Sequence, residues 1–378
     1  MEVIFWLRIL TAIWCLSCVL GGRLPVYDYS DLDDDFYSEL RNLLDGNAER
    51  KIKQQNDWTR AHRVSHPREV KGWGSTLNLG QVSGVSVDPE GRPVVFHRAS
   101  RKWDHTTFNS THHFQGQGPI DEDVVMVLDP QNGDILKSWG KDMFYLPHGI
   151  TVDQKGNTWL TDVALHQVFK FTPGSEKPEL TLGEAKTPGA DDVHMCKPTS
   201  VAVSSTGDFY VADGYCNARI LRYNSDAKLI GKFGHPGMDG SSDAMFVPHG
   251  IAIEETRDVL CIADRENKRV LCVNAGLHNK DNFGHSVMRL HDPNHGRIFD
   301  VAVLNEFLVG VGGSSTDGAA TGFTADLDAG ILLDAWGPVD GFQNPHAIAV
   351  TPDATTIYVA EIGPNRVWKF LLENPAEY

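Results

Sequence analysis

Three stretches far apart in the chain share one pattern: "YLPHGITVDQKGNTWLTDV" at 145–163, "FVPHGIAIEETRDVLCIAD" at 246–264 and "QNPHAIAVTPDATTIYVAE" at 343–361. Pro147, Pro198 and Pro248 are 51 and 50 residues apart, and Pro345 follows 97 later, close to twice that interval. The skipped unit fits "RIFDVAVLNEFLVGVGG" at 297–313, and an earlier one fits "GQVSGVSVDPEGRPVVFHR" at 80–98. Six units therefore begin near 80, 147, 198, 248, 297 and 345. Each reads as strand, turn, strand and a third strand such as "HQVFKF", "ARILRY", "KRVLCV" or "NRVWKF". Runs rich in Val, Ile and aromatics alternate with turn signals like "DPEG" and "DQKG". Units of this length with several short strands are the signature of propeller blades. A single blade cannot bury its own faces; packing blades around an axis does so and leaves only short edges. The expected fold is all-β, a six-bladed β-propeller over 75–372.

The remainder of the chain reads differently. "MEVIFWLRILTAIWCLSCVLGG" is apolar with one interior Arg8, the pattern of a cleaved signal peptide over 1–22. The competing reading, an uncleaved anchor, would place Arg8 inside the bilayer at high cost. No later segment is apolar enough to span a membrane. Residues 23–74, with the acidic run "YDYSDLDDDFYSEL", read as a flexible or weakly helical lead-in, and 373–378 as a C-terminal tail. The formal charge of −16 argues against a nucleic-acid partner. Beyond the leader four cysteines remain, Cys196, Cys216, Cys261 and Cys272. An even number after a secretory leader suggests two disulfides. Three pairings are possible; the local ones are favoured because each closes a short loop between adjacent strands. Asn109, in "NST", is an N-glycosylation acceptor. The expected location is secreted, or the lumen of the secretory pathway.

In a blade the first strand lines the central channel. The start of strand one and the end of strand two share one face of the ring, because the strands run antiparallel. His148, His249 and His346 each stand at the entry to a first strand, where the other units have Ser83, Thr199 and Phe299 or a neighbour. A histidine after proline could be a strand-start residue copied by duplication. Three at equivalent positions instead predict convergence at one end of the channel, as a zinc site with an open coordination position. Arg98, Tyr215 and Arg265 follow the ends of second strands and are expected to rise around the same point. A phenol flanked by positive charge is a candidate general base. Two guanidiniums suit an anionic substrate, since each can grip a carboxylate bidentately. The bland reading of the arginines is inter-blade salt bridging, notably of Arg265 with a blade aspartate. Asp162, Asp213, Asp264 and Glu361 recur at one place in the repeat and read as architectural, tying turns or pairing with Arg219, Arg269 and Arg366. The remaining histidines, including the pair His112 and His113, are assigned to surface or loops.

Taken together, "GQVSGVSVDP", "VVFHR" with "WD" nearby, "LPHGITVD", "CKPTSVAV", "VADGYCNARI", "CIADREN" and "NPHAIAV…VWKF" resemble peptidyl-α-hydroxyglycine α-amidating lyases, the second enzyme of peptide C-terminal amidation. The resemblance covers about 75–372. It implies zinc on His148, His249 and His346, Tyr215 as base, and Arg98 and Arg265 in the active site. It implies a structural calcium bound partly by the backbone carbonyls of Val85 and Ile150, and the disulfides Cys196–Cys216 and Cys261–Cys272. The family pattern at the third histidine is Met-Pro-His-Asp; here Asn344 replaces the Met, and Ala347 replaces an Asp expected to bind calcium. Alanine has no side-chain oxygen, so the calcium site is expected to lack a charged ligand. The propeller fills the chain and leaves no room for a copper-monooxygenase half, so a separate monooxygenase is expected to supply the substrate. The expected function is a zinc-dependent lyase that releases amidated peptide and glyoxylate. The alternative is a non-catalytic or weakly active binding propeller of the same fold. A calcium-dependent propeller hydrolase, such as a lactonase, would want carboxylate and amide ligands where this chain has histidines.

Overall fold

The computed structural model describes residues 65–238, 241, 243–291, 296–313 and 320–372. The expected signal peptide, residues 23–64 of the lead-in and the tail lie outside the described residues.

Six four-stranded antiparallel sheets form the blades of a propeller. Blade one comprises Val82–Val87, Pro93–His97, Val125–Leu128 and Ile135–Trp139. Blade two comprises Pro147–Val152, Thr158–Asp162, Gln167–Phe171 and Leu180–Leu182. Blade three runs through Ser200–Val203, Phe209–Asp213, Arg219–Tyr223 and Leu229–Phe233. Blade four runs through Pro248–Glu254, Val259–Asp264, Arg269–Asn274 and Ser286–His291. Blade five takes Arg297–Leu304, Phe307–Gly313, Thr321–Asp326 and Ile331–Trp336. Blade six takes Pro345–Val350, Thr356–Glu361 and Arg366–Leu372, and its outer strand is Pro67–Glu69 from the other end of the chain.

That last pairing moves the start of the propeller before residue 75, the boundary read from sequence. Trp73 also lies in the apolar cluster between blades six and one, with Val85, Val95, Tyr358 and Val367. The lead-in therefore closes the ring. Second strands such as Phe209–Asp213, Val259–Asp264 and Thr356–Glu361 are buried along their whole length, because both faces of a blade are covered by its neighbours. Outer strands such as Leu229–Phe233 alternate between partial and full exposure. The apolar clusters sit between successive blades, as with Tyr210, Ile220, Leu260 and Leu271 between blades three and four.

Five of the six inner strands have a register break at their channel end: Val82/Gly84, Pro147/Ile150, Pro248/Ile251, Ile298/Asp300 and Pro345/Ala347. A bulge leaves a residue out of the ladder and re-aims its side chain. The residues skipped are those at and after the histidine positions.

The recurrent acids are architectural, with one correction. Asp213 pairs with Arg219 at 2.8 Å and Asp264 with Arg269 at 2.7 Å. Among the described residues Asp162 has no arginine partner, and it instead accepts from the N–H groups of Tyr145, Leu146, Ala164 and Leu165. Glu361 does not pair with Arg366: its Oε2 accepts from the Trp368 indole at 2.6 Å, and the Arg366 guanidinium lies over that indole ring. Both disulfides follow the local pairing, Cys196–Cys216 and Cys261–Cys272. The second joins residues directly opposite each other in neighbouring strands of blade four.

Candidate active site

His148, His249 and His346 are each the second residue of an inner strand, in blades two, four and six. All three are buried, and one ring nitrogen of each lies within 4.8 Å of the others. Each Nδ1 contacts a backbone carbonyl of the next blade: Thr199 at 2.8 Å, Phe299 at 2.7 Å and Ser83 at 2.7 Å. The carbonyl can only accept, so Nδ1 carries the proton and donates, and the Nε2 lone pair is left for the shared centre. Even-numbered blades thus supply imidazoles, and odd-numbered blades supply the carbonyls that orient them. Burial, reinforced by neighbouring imidazoles and guanidiniums, holds His148 and His249 well below the usual imidazole pKa and His346 at about 3. Three neutral Nε2 donors, each ring fixed by a backbone carbonyl, form a group that could hold a metal ion.

Tyr215, two residues past the end of a blade-three strand, brings its hydroxyl 3.1 Å from His148 Nε2 and 3.2 Å from His249 Nε2. Arg265, next to the end of Val259–Asp264, donates from Nη1 to that hydroxyl at 3.3 Å. Its guanidinium lies over the rings of Tyr215 and Phe299, at 5.1 and 5.2 Å. The ion pair of Arg265 is with Glu266 at 2.9 Å rather than with a blade aspartate, and Glu266 also holds Arg297 at 2.9 Å. Arg98, after the end of Pro93–His97, donates from Nε to Pro147 O and from Nη1 to Gln81 Oε1, both at 2.9 Å. It is 2% exposed, and burial lowers its pKa to about 10, so it remains a cation at neutral pH.

Trp103 completes the wall. It lies in the long segment between the second and third strands of blade one, 4.8 Å from the Tyr215 ring and 6.3 Å from His148, with Arg98 over its face at 5.3 Å. Sequence reading noted the "WD" pair without giving Trp103 a role. It also overlooked Glu266 and Asp300. The signal for Glu266 is a carboxylate beside a candidate substrate arginine. The signal for Asp300 is an acid where the other inner strands carry Gly, Ser or Ala.

Beneath the imidazoles the channel narrows to a cavity of about 30 Å³, lined in part by Val85, Ile150, Asp300 and Ala347. Burial raises the pKa of Asp300 to about 7. Asn344 is exposed, its side chain donating to Gly363 O at 2.9 Å. Asn109 is exposed, in a turn where its Oδ1 accepts from Thr111 and His113. A second ligand group, His112 with Cys196 and Cys216, has both sulfurs in the disulfide and offers no thiolate. His112 and His113 are exposed on the same loop, as expected, but His97, at the end of a strand, and His166 are buried, so the assignment of the remaining histidines to the surface is corrected there.

The NHL repeat family matches residues 195–223, within blade three. Peptidyl-alpha-hydroxyglycine alpha-amidating lyase 2 of Drosophila melanogaster is 45% identical over 82% of this chain and 77% of its own length. The chain belongs to the peptidyl-α-hydroxyglycine α-amidating lyase family. A probable lyase of the same name from Caenorhabditis elegans is 32% identical over 94% of this chain and 98% of its own. The peptidylglycine alpha-amidating monooxygenase of Rattus norvegicus is 41% identical, and there the match spans 83% of this lyase but 33% of the rat protein. Among solved structures, a gluconolactonase of Xanthomonas campestris superposes with TM-score 0.56 over 83% of this lyase and 92% of that chain. A chain of a nidogen/laminin complex does so with TM-score 0.52 over 71% and 84%. Both are 14% identical, which speaks to the propeller fold alone. Among the described residues no helix is long and apolar enough to cross a membrane.

Proposed function

We propose that this chain is a secreted, zinc-dependent lyase that splits peptidyl-α-hydroxyglycine into a C-terminally amidated peptide and glyoxylate. The observation that carries the reading is the meeting of three carbonyl-oriented imidazoles with the Tyr215 hydroxyl. His148, His249 and His346 hold the zinc, which when bound supplies Lewis-acid polarisation of substrate oxygens.

The chain's own residues do the remainder. The substrate carries a carboxylate, a hydroxyl and an amide nitrogen on one carbon. Arg265 presents its guanidinium beside Tyr215, braced by Glu266, and binds the carboxylate. Arg98 adds positive charge through the wall, locked by Pro147 O and Gln81. Tyr215 takes the hydroxyl proton; the oxygen electron pair forms the aldehyde C=O as the C–N bond breaks, and the proton passes on from Tyr215 to the departing amide nitrogen. Trp103 covers Tyr215 and shields it from water. The substrate comes from a separate hydroxylating monooxygenase. Secretion is supported by the two disulfides, and Asn109 on its exposed turn is the glycan acceptor.

The test is glyoxylate release from a peptide ending in α-hydroxyglycine, with the purified chain before and after chelation. Release that chelation abolishes and zinc restores supports the reading. A zinc-loaded, folded chain that releases none overturns it.

A further inference from the structure

Six residues take equivalent places around the channel, each directly after the position that carries a histidine in blades two, four and six: Gly84, Gly149, Ser200, Gly250, Asp300 and Ala347. All six line the narrow cavity. Asp300 is the one ionisable residue among them. Its Oδ1 accepts from Val301 N and its Oδ2 from Ile348 N, both at 2.9 Å. Asp213 and Asp264 are neutralised by arginines, and Asp162 is saturated by four N–H groups. Asp300 has neither compensation. Among the described residues no Lys, Arg or His forms an ion pair with it. Its partial exposure is to the channel, since it lines both the narrow cavity and the wider mouth on the far side.

The surroundings leave room for this carboxylate. A Cβ at Gly250, one blade away, would collide with Asp300 Oδ1. On the other side the carboxylate reaches the N–H of Ile348, next to Ala347. The Asp300 carboxylate therefore lies against the backbone next to Ala347, in the cavity that both residues line. A half-buried carboxylate in a narrow channel with no cationic partner is costly, and a divalent cation with oxygen ligands removes that cost.

We infer that Asp300, from blade five, supplies the carboxylate of a second, oxygen-ligated cation of the calcium class on the channel axis, in the role that residue 347 cannot fill. Val85 and Ile150, which line the same cavity, are placed to add backbone carbonyls. The chain thus keeps a charged ligand by moving it one blade round the ring. This inference does not depend on the lyase chemistry.

The test uses the full secreted chain, dialysed against calcium-free buffer and then supplied with calcium chloride. Calcium and zinc are read by elemental analysis, with the melting temperature followed in parallel. The wild type is expected to hold about one calcium per chain and to melt higher with calcium present. Asp300→Asn is expected to weaken calcium binding by about tenfold or more with zinc unchanged. The exchange Asp300→Ala with Ala347→Asp is expected to restore it. A wild type that takes up no calcium at millimolar concentration overturns the inference, as does a folded Asp300→Asn chain that binds calcium like the wild type. If Asp300→Asn does not fold, the exchange variant decides: folded with calcium supports the inference, and folded without calcium contradicts it. Calcium lost with zinc and glyoxylate release retained bears on Asp300 alone, whereas zinc lost with calcium retained bears on the lyase reading.

Discussion

Tyr215 is held from three sides: by two imidazole nitrogens, by the Arg265 guanidinium and by the Trp103 face. Removing its hydroxyl deletes the proposed proton acceptor and leaves the ring packing in place. Tyr215→Phe is therefore expected to lower kcat by about 10²-fold or more, with zinc content unchanged by elemental analysis. Activity near wild type in that variant would remove Tyr215 from the role of base. Glu266 acts through Arg265, since it takes two N–H groups of that guanidinium while also holding Arg297. Glu266→Gln keeps the shape and loosens the grip. Its expected signature is a several-fold rise in KM for the carboxylate-bearing substrate with kcat much less affected. Equal falls in kcat and kcat/KM would instead place Glu266 in the chemical step.

At the scale of the strand, the site depends on alternation around the ring. A histidine blade is followed by a blade whose carbonyl fixes the imidazole, and the approach is close: a Cβ at Gly149 would collide with Thr199 O, the acceptor for His148 Nδ1. Gly149→Ala is expected to weaken zinc retention on dialysis, read as zinc per chain against the wild type. Unaltered zinc retention would show that the carbonyl contact does not orient the ring. The blades were legible in sequence because strand and turn recur with a near-constant period, and the histidines because they recur in phase with it. Trp103 has no period to announce it; it sits in a long inserted segment and reaches the site through the fold of that segment. Asp300 reads locally as one polar residue in an alternating strand, and its place in the channel depends on the bulge beside it. The strand Pro67–Glu69 is three residues long, and its partner begins at Arg366, so no local pattern marks it.

For the whole molecule, closure rests on that short strand and on Trp73, which join the two ends of the chain across blade six. A chain beginning at residue 75 exposes one edge of blade six and removes the Trp73–Tyr358 ring contact at 5.2 Å. It is expected to melt lower than a chain beginning at 65 by calorimetry; equal melting would mean the strand does not fasten the ring. Acid sensitivity also belongs to this scale. His166 is fully buried, and its pKa is lowered to about 4, chiefly by burial. Unfolded, the ring takes up a proton near its ordinary value of about 6.5. Its contribution is thus complete above about pH 6.5 and is lost as pH falls towards about 4, on the order of 3 kcal/mol for the ring. Denaturant unfolding of wild type and His166→Asn across this range is expected to show a shallower acid loss in the variant; parallel curves would contradict the assignment.

The central claim is that imidazoles from three blades share one divalent cation. Anomalous scattering at the zinc edge from a crystal of the purified chain tests it most directly. The account predicts a strong peak within about 2.0–2.1 Å of Nε2 of each of His148, His249 and His346. A zinc-supplemented crystal with no peak between those rings, or with its peak on surface histidines alone, would contradict it.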